Sequence, residues 1–160
     1  SIQGRNLKIR IKMYQKTILS ALVVAIVSLG NVAGEDVDVS KLPAAAGNDV
    51  DFVKEIKPLF EKSCFGCHGS KPRAKSKYFM NKRATTLEGG SSKEAAVIAG
   101  KSAASPLVHF IGDLVEELEM PPLDKREKYA QLTKDQIGLV RAWIDQGAKW
   151  PDGVELAMPK

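Results

Sequence analysis

The sequence predicts a small all-α domain, and three observations carry that prediction. Apolar residues recur at helical spacing in three separate stretches, around 50–60, 105–118 and 133–147. No stretch shows the strict alternation of a half-buried strand. The helical stretches are joined by long Gly-, Ser-, Pro- and Lys-rich segments, so three or four short helices alone enclose little core. Something besides side chains is therefore expected inside.

The chain has 160 residues, two cysteines and a formal net charge of +5. That length holds one domain with appendages rather than a multidomain enzyme. Two cysteines make neither a disulfide scaffold nor a four-cysteine zinc site. The positive excess suggests nucleic acid or an anionic surface as partner until its placement is considered. Residues 1–34 hold Arg5, Lys8, Arg10, Lys12 and Lys16 and no acid, which leaves 19 bases against 19 acids in the remainder. Residues 35–160 are formally neutral, and nucleic acid is not expected as a partner.

The basic stretch leads into the apolar run Thr17–Leu29, then Gly30-Asn31-Val32-Ala33-Gly34. This order predicts a secretory signal peptide over 1–34, with Met13 a candidate true start. The apolar run is shorter than the roughly 20 residues a membrane-spanning helix takes. An uncleaved anchor is the competing reading and the one route to a membrane, and either reading exports the remainder to the periplasm or beyond the cell. Residues 35–48 are small, acidic and aperiodic and are expected to be a linker. The domain is expected over 49–152, with a tail over 153–160.

The domain's first helix is expected from about Val50, with Val53, Ile56 and Phe60 on one face, Asn48 or Asp49 as cap, and Pro58 as a kink. Residues 69–104 read as loop with a short helix near 84–88. Ser105-Pro106 is a cap followed by proline in the first turn, and Leu107, Phe110, Ile111, Leu114 and Leu118 predict a helix that Met120-Pro121-Pro122 stops. Thr133 with Gln136 is a capping box. Ile137, Val140 and Ile144 define the last helix, which Gly147 ends. Phe52, Phe60, Phe110 and Trp143 are expected in the core.

The chemistry lies in Cys64-Phe65-Gly66-Cys67-His68, a C-x-x-C-H attachment signature for c-type haem. Cysteines three apart on a helical turn face one way, one thiol for each haem vinyl group, and the next residue, His68, supplies the proximal imidazole. A thioredoxin-type pair would instead stand at a helix N-terminus after a strand, whereas this motif follows a helical pattern. A zinc site lacks further cysteines, and a disulfide here would close too small a loop to stabilise much. The sixth ligand must come from far along the chain to close the opposite face. Met120, 52 residues beyond His68 and stiffened by Pro121 and Pro122, is the leading candidate. His109 is the chief rival, Met80 is read as solvent or rim, and Met158 sits in the tail. Phe65 is expected near the haem edge, and Arg141 or Trp150 against a propionate. Lys71, Arg73, Lys75, Lys77, Lys82 and Arg83 form a basic run that is either a solvated loop or a docking patch for an acidic redox partner.

With these residues in place, the chain resembles class I cytochrome c, and more narrowly the planctomycete-type cytochrome c domain. The resemblance rests on Ile56-Lys57-Pro58-Leu59-Phe60, Cys64 through Gly69, Leu87-Glu88-Gly89-Gly90, Ala99-Gly100-Lys101-Ser102, Ser105-Pro106-Leu107, Glu119-Met120-Pro121-Pro122 and Leu132-Thr133 through Trp150-Pro151. It implies a small cytochrome c-like fold around one covalent haem, His68 and Met120 as axial ligands, and a pairing of N- and C-terminal helices. The expected function is one-electron transfer, with a peroxidase-like haem enzyme or a haem-based sensor or binding module as alternatives. The stretch Ala74 through Met80 departs from the Arg-Leu-Asp segment usual in that family.

Overall fold

The computed structural model describes residues 37–69 and 74–158. The expected signal segment 1–34 lies outside them. Among the described residues there are helices and turns and no strand. Five α-helices run in order: α1 Lys57–Ser63, α2 Phe65–His68, α3 Arg83–Glu88, α4 Pro106–Ile111 and α5 Lys134–Asp145.

The first helical stretch begins at a cap, though not at the expected residue. Asp51 is the N-cap and accepts from the Lys54 N–H at 3.0 Å. Phe52–Ile56 then forms a wide turn, in which the Lys57 N–H reaches back five residues to the Phe52 carbonyl. The α-helical ladder starts only at Lys57, with Pro58 in its first turn. Proline has no N–H to donate and is at home in a first turn, so the expected kink takes the form of a change of helical pitch.

α5 is the frame of the domain. Thr133 and Gln136 exchange both bonds of the capping box, at 2.9 and 3.2 Å, and Gly147 follows the helix with φ +96°. Its inner face, Ile137, Val140, Trp143 and Ile144, is buried. The Phe60 ring meets Trp143 edge-on with centroids 5.6 Å apart, and Phe52 lies over Trp150 at 3.9 Å. Such contacts join the first helical stretch to the last one and exceed plain area burial by about 0.5–1.5 kcal/mol per pair. The Asp145 carboxylate accepts from the Ser102 N–H at 2.7 Å and from its hydroxyl at 2.8 Å. The loop before α4 is thereby fastened to α5 through the buried Ser102.

Three expectations are corrected. Residues 37–48 are no free linker. Leu42 is buried, the Ala46 N–H donates to the Gly138 carbonyl at 3.0 Å, and Arg141 donates to the Pro43 carbonyl. Gly138 makes this approach possible, because a Cβ there would meet the Ala44 carbonyl oxygen at 2.7 Å. The tail also folds back: Leu156 is buried, its N–H donates to Asn81 at 3.1 Å, and the Ala157 N–H donates to Glu61 at 2.8 Å. Finally, α4 stops at Ile111 rather than reaching Leu118, which is 46% exposed. The chain turns at Gly112-Asp113, where Asp113 takes φ +55° and its carboxylate receives Arg126 at 2.6 Å and Gln131 at 2.5 Å. Those two bonds hold a backbone conformation that the apolar spacing did not disclose.

Packing of residues 37–48 yields a direct check. Leu42→Ala should destabilise the domain by about 2 kcal/mol, the low end for a buried leucine because Leu42 sits at the edge of the core. Thermal or denaturant unfolding measures this, and a free linker would show no change.

Candidate functional site

The C-x-x-C-H turn is built by the end of α1 and the short α2. The Cys64 N–H closes α1 on the Phe60 carbonyl at 2.9 Å. The Cys64 carbonyl then accepts from Cys67 at 3.1 Å and from His68 at 2.9 Å. Those bonds wind the five residues into one tight helical turn. Cys64, Cys67 and His68 all open onto a single cavity of about 340 Å³, lined mainly by apolar side chains. This size is in the usual range of sites for small molecules and cofactors.

Part of the cavity wall comes from α4 and the segment after it. Phe110, Ile111, Leu118, Met120, Pro121 and Pro122 line it. Met120 is pinned by its own backbone, the N–H donating to the Phe110 carbonyl at 2.9 Å, and Arg126 donates to the Pro121 carbonyl at 3.1 Å. α4 itself is anchored through the fully buried Ser105. Its hydroxyl does not cap the helix as expected, but turns back to accept from the Ile98 N–H at 2.9 Å and donate to the Lys101 carbonyl at 2.9 Å.

The electrostatics of the turn separate the candidate chemistries. Burial, reinforced by the neighbouring Cys67, pushes the Cys64 thiol up to about 12. A redox-active C-x-x-C pair needs the reverse, a thiol lowered towards neutrality. Both thiols are free. Burial lowers the pKa of His68, against the opposing influence of the Lys75 and Tyr78 backbone, and so favours the neutral imidazole that can bind a metal. Among the described residues, His68 Nδ1 is buried without a well-formed hydrogen bond. Two thiols and an imidazole on one turn, facing an apolar cavity with a thioether in its wall, fit the donor set of haem c.

The other ligand candidates stand elsewhere. His109 is not in the cavity wall, and its Nε2 lies 2.7 Å from the Ala103 carbonyl oxygen. Met158 is 60% exposed. Met80 corrects its reading as solvent or rim. It is completely buried and lines the cavity, and its N–H donates to the His68 carbonyl at 2.7 Å. That bond ties Met80 to the segment that carries His68, whereas Met120 comes from the separate segment after α4.

Three further placements differ from expectation. Phe65 is buried in the core but is not part of the cavity wall. Neither Arg141 nor Trp150 reaches the cavity: Arg141 donates to Ser102 and Pro43, and Trp150 to the Val154 carbonyl. The charge run is partly structural. Arg83 donates to the Ala148 carbonyl at 3.0 Å, and Lys82 pairs with Glu155 at 3.3 Å. Lys75 and Lys77 are exposed on either side of Ser76, while Lys71 and Arg73 lie outside the described residues.

Two tyrosines join the site without any announcement in the sequence. Tyr78 packs against the His68 ring, with centroids 5.2 Å apart. Tyr129, from the charged loop before α5, lies over Gly66. A Cβ on Gly66 would overlap the Tyr129 ring, so the glycine inside the motif is what allows the lid so close. No periodicity marks either tyrosine, because both act from irregular backbone.

A helical shell around an apolar cavity, with a C-x-x-C-H turn in its wall, is what a c-type cytochrome domain requires. Residues 64–124 match the model of the planctomycete cytochrome C family. None of the curated proteins and none of the solved structures matches the chain. A cytochrome c domain implies covalently bound haem, and Cys64, Cys67 and His68 fit its attachment site. Such domains are typically exported, and among the described residues no helix is long and apolar enough to cross a membrane.

The contact between Gly66 and Tyr129 is testable. Gly66→Ala should destabilise the haem-loaded protein by about 1–3 kcal/mol through overpacking. The same substitution made in a Tyr129→Ala background should cost far less, because the overlapping ring is gone. Thermal unfolding of the four proteins in this cycle measures the coupling, and equal costs in both backgrounds would show that Tyr129 is not the obstacle.

Proposed function

We propose that the chain is an exported monohaem c-type cytochrome that passes one electron between partner proteins, with haem attached through Cys64 and Cys67 and ligated by His68 and Met120. One observation supports this reading above the others: these four side chains line the same apolar cavity, and Met120 comes to it from a segment remote from the motif in sequence. The bound group supplies a one-electron iron couple. The protein residues do the rest. The turn 64–68 fixes the thiols and imidazole on one side, and Pro121 and Pro122 stiffen the backbone that presents the Met120 thioether. Phe110, Ile111 and Leu118 exclude water from the cavity.

A methionine sulfur raises the reduction potential relative to two histidines. Two protein ligands leave the iron no open position for peroxide or a diatomic gas, which favours the carrier over the haem enzyme or sensor. Export fits the basic and apolar order of residues 1–34 and the chemistry of haem attachment outside the cytoplasm. For the partner, the exposed Lys75 and Lys77 flank Ser76, which lines the cavity, and an acidic redox protein is the complementary choice.

Optical spectroscopy of the purified holoprotein tests the assignment. The oxidised protein should be low-spin and show the weak long-wavelength band of a methionine–iron bond. Met120→Ala should abolish that band, whereas Met80→Leu and His109→Ala should leave it in place. A high-spin spectrum of the unsubstituted protein would overturn the carrier reading in favour of an enzyme or sensor.

A further inference from the structure

Tyr129 lines the cavity with Cys64 and Cys67 and has no role in the proposed attachment or ligation. Its placement is nonetheless closely specified. A Cβ at Gly66, within the attachment turn, would lie 2.8 Å from the Tyr129 Cζ and 2.8 Å from its hydroxyl oxygen. The ring therefore lies over the turn itself, between the two cysteines. Tyr129 is only half-buried, so it stands where the cavity meets solvent.

The loop that carries Tyr129 is tied to both segments that bring sulfur to the cavity. On one side the hydroxyl of Ser63, the neighbour of Cys64, donates to the Ala130 carbonyl at 2.7 Å. On the other, Arg126 donates to the carbonyl of Pro121, the neighbour of Met120, at 3.1 Å. Between these ties the Tyr129 N–H donates to the Lys125 carbonyl at 2.9 Å, and the Lys128 ammonium lies 5.3 Å from the ring centroid. Charged loops ordinarily run over a surface and vary freely. This one is fastened at both ends, and its one aromatic side chain covers the turn of the cysteines.

We infer that Tyr129 shields the attachment side of the haem from water and thereby raises its reduction potential. Haem iron carries one more positive charge when oxidised than when reduced. Water beside the group stabilises the more highly charged form, and an apolar cover disfavours it. The inference rests on the c-type haem assignment and adds to it a residue that tunes the bound group without ligating the iron.

Redox titration of the holoprotein tests this. Tyr129→Ala should shift the midpoint potential downward while the low-spin spectrum and the methionine band persist. Tyr129→Phe keeps the ring and should hold the original potential. An unchanged potential in Tyr129→Ala overturns the inference. So does a downward shift that comes only with loss of the methionine band, because that shift would trace to the ligand. Should Tyr129→Ala not fold, a measurement on the unsubstituted protein decides the matter. In the reduced, diamagnetic holoprotein, a neutral water-soluble paramagnetic agent should broaden the thioether-bridge protons little, and strong broadening overturns the inference. Absence of covalent haem from the unsubstituted protein would instead strike the haem assignment, so the two failures are distinct.

Discussion

The structure depends on keeping an apolar cavity of about 340 Å³ at the centre of a domain whose helices are short. Such a space is costly when it is empty, because its walls lose the contacts that normally hold them together. The domain therefore fixes each wall from outside. α5 receives Phe52 and Phe60 on Trp143, it clamps the 98–105 loop through Asp145 and Ser102, and it holds residues 43–46 through Gly138 and Arg141. The helices are frames for the walls more than a core in their own right. A ligand filling the cavity adds its binding free energy to folding, which explains how a shell this thin can serve.

The same constraint separates what was legible in the sequence from what was not. The motif Cys64–His68 was legible because covalent attachment demands both residue type and spacing. The capping box at Thr133 and Gln136 and the stop at Gly147 were legible because they are local backbone devices. Leu42 and Leu156 were not, because an isolated apolar residue among small and charged neighbours carries no period, and only the completed groove reveals a place for it. The end of α4 was misread for a related reason. Leu114 and Leu118 continue the helical spacing, but Asp113 leaves the helix in a left-handed conformation secured by Arg126 and Gln131 from a distant loop. Tertiary contacts there override a local pattern.

Charge gave a similar lesson. The formal excess of +5 is confined to residues 1–34 and says nothing of the folded part, which is balanced. Within the basic run, Lys82 and Arg83 are spent on Glu155 and on the carbonyls that follow α5. A cluster that looks uniform along the chain thus divides into residues that hold the C-terminal segment and residues, Lys75 and Lys77, that are exposed beside the cavity. Exposed pairs such as Lys82 with Glu155 add little stability, so their effect is mainly to direct where the tail lies.

The two methionines of the cavity show why burial and proximity do not by themselves select a ligand. Met80 is the more deeply buried and lies nearer in sequence to His68, and both facts would favour it if a thioether in an apolar cavity were enough. But the Met80 N–H is bonded to the His68 carbonyl, so Met80 belongs to the segment that already carries the imidazole, and a haem held between two side chains would need its second one from elsewhere. The packing role of Met80 there is that of an unbranched side chain filling the space beside a ring. Met120 would meet that need, because it lines the same cavity from a segment 52 residues beyond His68. In the proposed ligation that length of intervening chain would itself be part of how the site is built.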